Sequence, residues 1–162
     1  MNSIKADLPR TLQTVEIHTL ADLHIGDPLS DKRLIKQRID YIKDTPNAYA
    51  ILNGDICNWA TKNSVSDCYS EKLTPMEQIK EFVCLMGPIA DKVISVQPGN
   101  HENRSYKTEG IDITEIACRE IGLADKYSKT ASLLFVRFGE LSRGKKESAG
   151  TGSVRRACYT RK

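Results

Sequence analysis

Ala48-Tyr49-Ala50-Ile51-Leu52-Asn53-Gly54-Asp55 is the stretch on which the reading of the fold turns. Its opening is apolar without interruption, over a length that suits a short buried strand. Asn53-Gly54-Asp55 then closes that strand in turn chemistry. The same arrangement recurs on both sides. Upstream, the β-branched and mostly apolar run from Thr14 to Ala21 predicts a strand that ends in Asp22-Leu23-His24-Ile25-Gly26-Asp27-Pro28. Downstream, Val93-Ile94-Ser95-Val96 predicts a third, ending in Pro98-Gly99-Asn100-His101-Glu102.

Between these strands the apolar spacing becomes that of helices. A helix is expected from Asp31 to Asp44, capped by Ser30, with Leu34, Ile35, Ile39 and Ile42 as its apolar stripe. Thr74-Pro75 opens another, with proline at the first helical position and Met76, Ile79, Phe82, Val83 and Met86 on its buried face. A further helix fits Asp112 to Ile121 and stops at Gly122. Ser132 to Phe138 reads as a fourth strand. Residues 1 to 12 carry no period and read as a lead-in, and Thr61 to Glu71 reads as a long polar loop. Alternating strands and helices predict an α/β fold with an at least partly parallel central sheet. Sites in such sheets lie beyond the carboxyl ends of the strands.

Composition narrows the class further. At 162 residues, 40% hydrophobic and 28% charged, the chain is expected to form one globular domain with a tail, residues 1–138 and 139–162. No apolar run approaches the ~20 residues that span a bilayer, and no basic-then-apolar leader opens the sequence. The five cysteines are odd in number and show no C-x-x-C pair, which points to a reducing, cytoplasmic compartment. Cys84 and Cys118 fall in helical apolar patterns and are expected in the core. The net charge of +3 is unevenly spread: the 26 residues after Val136 hold eight Lys and Arg against two acids. That tail is expected to be solvated and disordered, the alternative being phosphate contacts with a nucleic acid.

Each of the first three predicted strands ends in residues of metal-ligand type: Asp22 and His24, then Asp55, then Asn100 and His101. If the backbone stays extended, Asp22 and His24 point the same way and can grip one ion. Gly54 and Gly99 each precede a candidate ligand, and glycine lets the chain turn sharply beside an ion. Carboxylate, imidazole and amide oxygen suit Mn, Fe or Zn. His18 shares the parity of Asp22 but is expected to be an ordinary strand histidine. Asp27 reads as a turn residue before Pro28. Cys57 and Trp59 are placed either to line the site or to pack beneath it. Arg104 is a candidate for touching a phosphate oxygen, set against a plain surface salt bridge.

Asp22-Leu23-His24, Gly54-Asp55 and Gly99-Asn100-His101-Glu102 together resemble the motifs of the calcineurin-like metallophosphoesterases, over roughly residues 14 to 138. The resemblance implies an αββα sandwich and two divalent metal ions (Mn, Fe or Zn). Asp22 and His24 would hold the first ion, Asp55 would bridge both, and Asn100 would hold the second through its side-chain oxygen. His101 would stand near the phosphate, stabilising the transition state or protonating the leaving oxygen. The implied reaction is phosphoester hydrolysis by a metal-activated water. Ile56-Cys57-Asn58-Trp59 follows Gly54-Asp55 where the protein Ser/Thr phosphatase branch has a longer signature. The resemblance is therefore to the phosphodiesterases, nucleotide phosphatases and DNA-repair-type nucleases, in forms similar to bacterial and phage members; it implies a phosphoester substrate, nucleotide or nucleic acid being candidates, and the motifs do not specify which. The sequence departs from the family in one respect. Its three histidines are His18, His24 and His101, so the later ligands, including a Gly-His-x-His motif, have no counterpart. The expectation is a truncated or weakly active form of the domain, with a sheet face left uncovered and self-association through it. The alternative is a degenerate, non-catalytic domain that binds a metal or a partner.

Overall fold

A computed structural model describes residues 2–60 and 69–139. The basic tail from Glu140 onwards and residues 61–68 of the expected loop lie outside them.

The three apolar runs form the strands β2 (Glu16–Leu20), β3 (Ala48–Asn53) and β4 (Val93–Gln97). They pair in parallel in the order β2-β3-β4. The centre strand is buried from Ala48 to Leu52, as an uninterrupted apolar run in a two-faced sheet requires. A register shift beside Ala50 and Ile51 gives β4 an extra residue in the ladder. That shift lets Val93 and Val96, three residues apart, pack in one core cluster while Ile94 packs in the other.

One face of this sheet is covered by α1 (Lys32–Asp44), α2 (Pro75–Met86) and α4 (Ile113–Glu120). Ile39 and Ile42 of α1, Ile79, Phe82, Leu85 and Met86 of α2, and Ile113, Ala117 and Cys118 of α4 meet Ala48, Ala50 and Leu52 of β3. Ile42, Leu52 and Met86 are fully buried, and burial of each such side chain contributes about 1.5–3 kcal/mol. The cap of α1 is Asp31, not Ser30. The Asp31 carboxylate accepts from the backbone N–H groups of Arg33 and Leu34 at 3.0 and 3.1 Å, whereas the Ser30 hydroxyl donates to the Leu23 carbonyl. At α2 the Glu77 carboxylate accepts from both the N–H and the hydroxyl of Thr74. Leu34 and Met76, expected on buried stripes, are each 60% exposed because they sit at the outer margins of their helices. Cys84 is likewise exposed, while Cys118 is in the core as expected.

The other face is covered by a second sheet. β1 (Asn2–Asp7) pairs in parallel with β5 (Ser132–Arg137). Ile4 and Leu134 from this pair pack on Tyr49, Ile51 and Ile94. The expectation of a lead-in over residues 1 to 12 is thus corrected: residues 2–7 form a strand. The sheet face expected to stand bare carries this two-stranded layer. The result is a mixed α/β arrangement of helices, a parallel three-stranded sheet and a parallel two-stranded sheet. Among the described residues no helix is long and apolar enough to cross a membrane.

One helix has no counterpart in the sequence reading. α3 (Glu102–Glu109) starts directly after His101 and ends at Gly110, whose φ of 73° is the left-handed cap that glycine allows. Its buried residues are Glu102 and Ser105, so it has no apolar stripe to announce it.

Candidate metal centre

Because β2, β3 and β4 run in parallel, their carboxyl ends open on one side, and the three ligand-type clusters follow them there. The segments are laced together by backbone hydrogen bonds. Asp22 N–H donates to the Gly54 carbonyl at 3.1 Å, His24 N–H to Asp55 at 3.0 Å and Ile25 N–H to Ile56 at 2.8 Å. Gly54 and Gly99 bring the second and third segments into backbone contact. A Cβ on Gly99 would lie 2.2 Å from the Asp55 nitrogen and from its Oδ1, and one on Gly54 would lie 2.7 Å from the Gly99 Cα. Only glycine fits at either position, which is the reason both precede a candidate ligand.

The result is a close group of side chains. One ligand atom each of His24, Asp55 and His101 lies within 4.8 Å of the other two. The imidazoles of His24 and His101 meet edge to face with centroids 4.5 Å apart. Asp55 Oδ1 accepts from the backbone N–H of His101 at 2.9 Å, which ties the second segment to the third through the candidate ligand itself. Asp22 stands at the margin, its Oδ1 3.9 Å from His24 Nε2 and its side chain 75% exposed. Asn100 is exposed in the turn after Gly99. His18 lies away from the group, bonded to Glu16 and edge-on to Tyr41. Asp27 accepts from the Leu29 N–H at 2.7 Å as a turn residue.

The local backbone differs from the extended form expected for Asp22-Leu23-His24. Asp22, His24 and Asp55 have φ values of 54°, 47° and 51°. Left-handed backbone at a residue other than glycine costs roughly 1–3 kcal/mol and persists where surrounding structure overrides it. At Asp22 and His24 the support is the backbone bonding to Gly54 and Asp55; at Asp55 it is a buried carboxylate. Glu102, 4% exposed, takes backbone N–H bonds from Asp55 at 3.0 Å, Cys57 at 2.8 Å and Gly99 at 2.8 Å. Burial raises its pKa, the N–H donors offset part of that rise, and the Asp55 charge adds to it. Glu71 accepts from Asn58 Nδ2, Ala60 N–H and Gln78 Nε2, and Gln78 Oε1 in turn receives the Trp59 N–H. This network holds residues 57–60 in place, including Trp59 at a φ of 47°.

No family model, characterised protein or solved structure matches this chain.

The chemistry of the group therefore rests on its own donors. Two imidazoles and a carboxylate, with ligand atoms within 4.8 Å of one another, are a divalent-cation donor set. His24 Nδ1 is buried and bonded to none of the described residues, a polar atom without a structural partner. His101 is held in one tautomer. Its Nδ1 lies 2.6 Å from the Asn58 carbonyl, an acceptor, so Nδ1 carries the hydrogen. Its Nε2 faces Arg104 Nη2 at 3.1 Å, a group that can only donate, so Nε2 presents a lone pair. Arg104 also reaches the carbonyls of Asn58 and Trp59 at 3.4 Å, and among the described residues it pairs with no carboxylate.

Of the residues singled out from sequence, His24, Asp55 and His101 come together, with Asp22 and Arg104 at the rim. Cys57 is buried, with burial pushing its thiol pKa up, and its Sγ donates to the Gln78 carbonyl. It packs beneath the site and does not line it. Glu102, Asn58, Glu71 and Gln78 were not assigned site roles from sequence. Only Glu102 left a signal, as the final residue of Gly99-Asn100-His101-Glu102.

Proposed function

We propose that this chain is a metal-dependent phosphoester hydrolase of calcineurin-like metallophosphoesterase type, acting on phosphodiesters of nucleotide or nucleic-acid class. The observation that carries this reading is the convergence of three separate strand ends on one group, His24, Asp55 and His101, with ligand atoms within 4.8 Å. The layering of helices, three-stranded sheet and two-stranded sheet is compatible with part of an αββα sandwich.

In this reading His24 and Asp55 hold the metal, with Asp22 and Asn100 as outer ligands from the flanking turns. The family uses two divalent ions, Mn, Fe or Zn. When bound, such ions supply Lewis acidity at a phosphoryl oxygen and lower the pKa of an attacking water. The chain's own residues supply the rest. Asn58 fixes His101 through Nδ1 and keeps the Nε2 lone pair turned to the group, so His101 enters as a ligand or proton acceptor. For His101 to protonate a leaving oxygen, Nε2 must first gain a proton and part from Arg104. Glu102 holds the Asp55 and Gly99 turns in register, which fixes the spacing between the ligands. Arg104 offers a guanidinium to a phosphoryl oxygen.

The test is hydrolysis of bis-p-nitrophenyl phosphate with Mn. Turnover that requires Mn and is lost in Asp55→Asn is expected. Absence of Mn-dependent turnover, or turnover that survives in Asp55→Asn, would overturn the reading. The histidine count favours one alternative specifically, since all three imidazoles lie at or before residue 101. Mn binding with no turnover would select a metal-binding domain without catalysis.

A further inference from the structure

We propose that Glu71 and Gln78 are positioning residues for His101, joined to its Nδ1 by hydrogen bonds that run through two amide groups in series. A carboxylate two amides away from the ring thereby decides which nitrogen His101 turns to the site. The inference rests on the reading of His101 as a site histidine and names what holds it.

The chain of donors and acceptors is continuous. His101 Nδ1 donates to the Asn58 carbonyl at 2.6 Å. That carbonyl and the Trp59 N–H are the two ends of one planar peptide group, and in a trans peptide they point opposite ways. The Trp59 N–H donates to Gln78 Oε1 at 2.9 Å, and Gln78 Nε2 donates to Glu71 Oε2 at 2.6 Å. Gln78 therefore grips the far side of the peptide whose carbonyl takes the ring hydrogen. Turning that peptide to withdraw the carbonyl would break the Trp59 bond as well. Glu71 holds the same turn a second time, its Oε1 accepting from Asn58 Nδ2 at 2.9 Å and from the Ala60 N–H at 2.8 Å. The turn needs such holding, because Trp59 has left-handed backbone at a φ of 47°. Arg104 Nη1 approaches the Asn58 carbonyl too, at the longer distance of 3.4 Å.

Every bond in the chain points the same way, each hydrogen directed towards the carboxylate. Bonds aligned head to tail polarise one another where the surroundings exclude water. Gln78 is 0% exposed and Asn58 2%. The order also accounts for an amide at position 78. Its oxygen must accept from a backbone N–H while its nitrogen donates to Glu71 and to the Leu73 carbonyl at 3.0 Å. An ionised carboxylate there could only accept. With Nδ1 committed in this way, Nε2 is the nitrogen left for a phosphoryl group.

The experiment reads the His101 ring by nitrogen and proton NMR of isotope-labelled protein, well above the ordinary histidine pKa of ~6.5 so that the ring is neutral. The proteins are wild type, Gln78→Met, Glu71→Gln and Lys92→Met. Wild type is expected to carry its hydrogen on Nδ1, with that proton far downfield as a short bond requires. Gln78→Met keeps the side-chain length and removes both ends of the link, so His101 is expected to shift towards the Nε2–H tautomer. Glu71→Gln sets a donor against a donor at one of its partners and is expected to move the Nδ1 proton upfield by a smaller step. Lys92 serves carbonyls at the end of α1, so Lys92→Met loosens the fold without touching the chain and is expected to leave the ring signals in place. If Gln78→Met fails to fold, Glu71→Gln carries the test by itself. An Nε2–H tautomer in wild type, unchanged ring signals in the folded Glu71 and Gln78 variants, or an equal change in Lys92→Met would overturn the proposal. None of these readings involves a metal ion or turnover, so the hydrolase reading stands or falls separately, by its Mn assay.

Discussion

At the amino end of the three-stranded sheet, the Lys92 ammonium donates to the carbonyls of Ile42, Lys43 and Thr45 at 2.7, 3.0 and 2.6 Å. Ile42 and Lys43 carry carbonyls left over where α1 runs out, Thr45 also accepts from the Ala48 N–H at 3.1 Å, and one side chain reaches all three. At the carboxyl end, three candidate ligands hold left-handed backbone, His24 Nδ1 is buried without a partner among the described residues, and a carboxylate, Glu102, is buried against backbone N–H groups alone. One end satisfies its polar groups and the other concentrates strain and unused bonding capacity. Strain of that kind persists only where the rest of the fold supports it, and it collects where a molecule acts.

The sharpest way to break this contrast is at the glycine contact. Gly99→Ala places a Cβ 2.2 Å from backbone and side-chain atoms of Asp55. It is expected to cost about 3 kcal/mol in denaturant unfolding and to abolish Mn binding, because the second and third segments can no longer touch. A wild-type unfolding midpoint for this variant would show that the contact is dispensable.

Lys92→Met probes the opposite end. Leaving the α1 carbonyls without a donor is expected to cost about 1–3 kcal/mol in the same unfolding assay, with Mn affinity unchanged. A fall in Mn affinity matching the fall in stability would mean that the two ends are not separable.

These two positions also show where the sequence speaks and where it is silent. β3 was legible because both its faces are buried, which forces an unbroken apolar run, and β4, buried throughout, from Val93, Ile94 and Val96 around a buried Ser95. α1, α2 and α4 were legible from apolar spacing and capping residues. Ser30 and Asp31 are adjacent capping types, and only the geometry decides between them. β1 was not legible because its neighbour covers one side of it, leaving Ile4 and Ala6 as its only apolar residues beside polar ones. α3 was not legible because its buried residues are polar and serve the site, not a core. The clusters at Asp22, Asp55 and His101 were legible as residue types. Their left-handed backbone was not, since nothing in Asp22-Leu23-His24 announces it, and neither was the Arg104 contact across three residues of α3.

The smallest effect belongs to the outer sheet. Arg137 Nε and Nη2 donate to Asp7 at 2.5 and 2.6 Å across β1 and β5. This pair holds the Asp7 carboxyl below its ordinary range, the Arg137 bond being the largest cause. A depressed carboxyl contributes stability that is present above its unfolded pKa and is lost as pH falls through its folded one. Asp7→Asn is therefore expected to lower the melting temperature slightly at neutral pH, with the gap from wild type closing in acid. A gap that widens in acid would reverse the sign. Both residues are exposed, which keeps the effect small.

The most direct test of the metal centre is Mn calorimetry on wild type and Asp55→Asn, read beside their unfolding midpoints. The substituted amide can keep the Oδ1 bond to the His101 N–H and loses the charge that a cation needs. Mn binding by wild type, weakened at least about tenfold in Asp55→Asn with an unchanged midpoint, is the predicted result. Equal Mn affinity in the two proteins would contradict it.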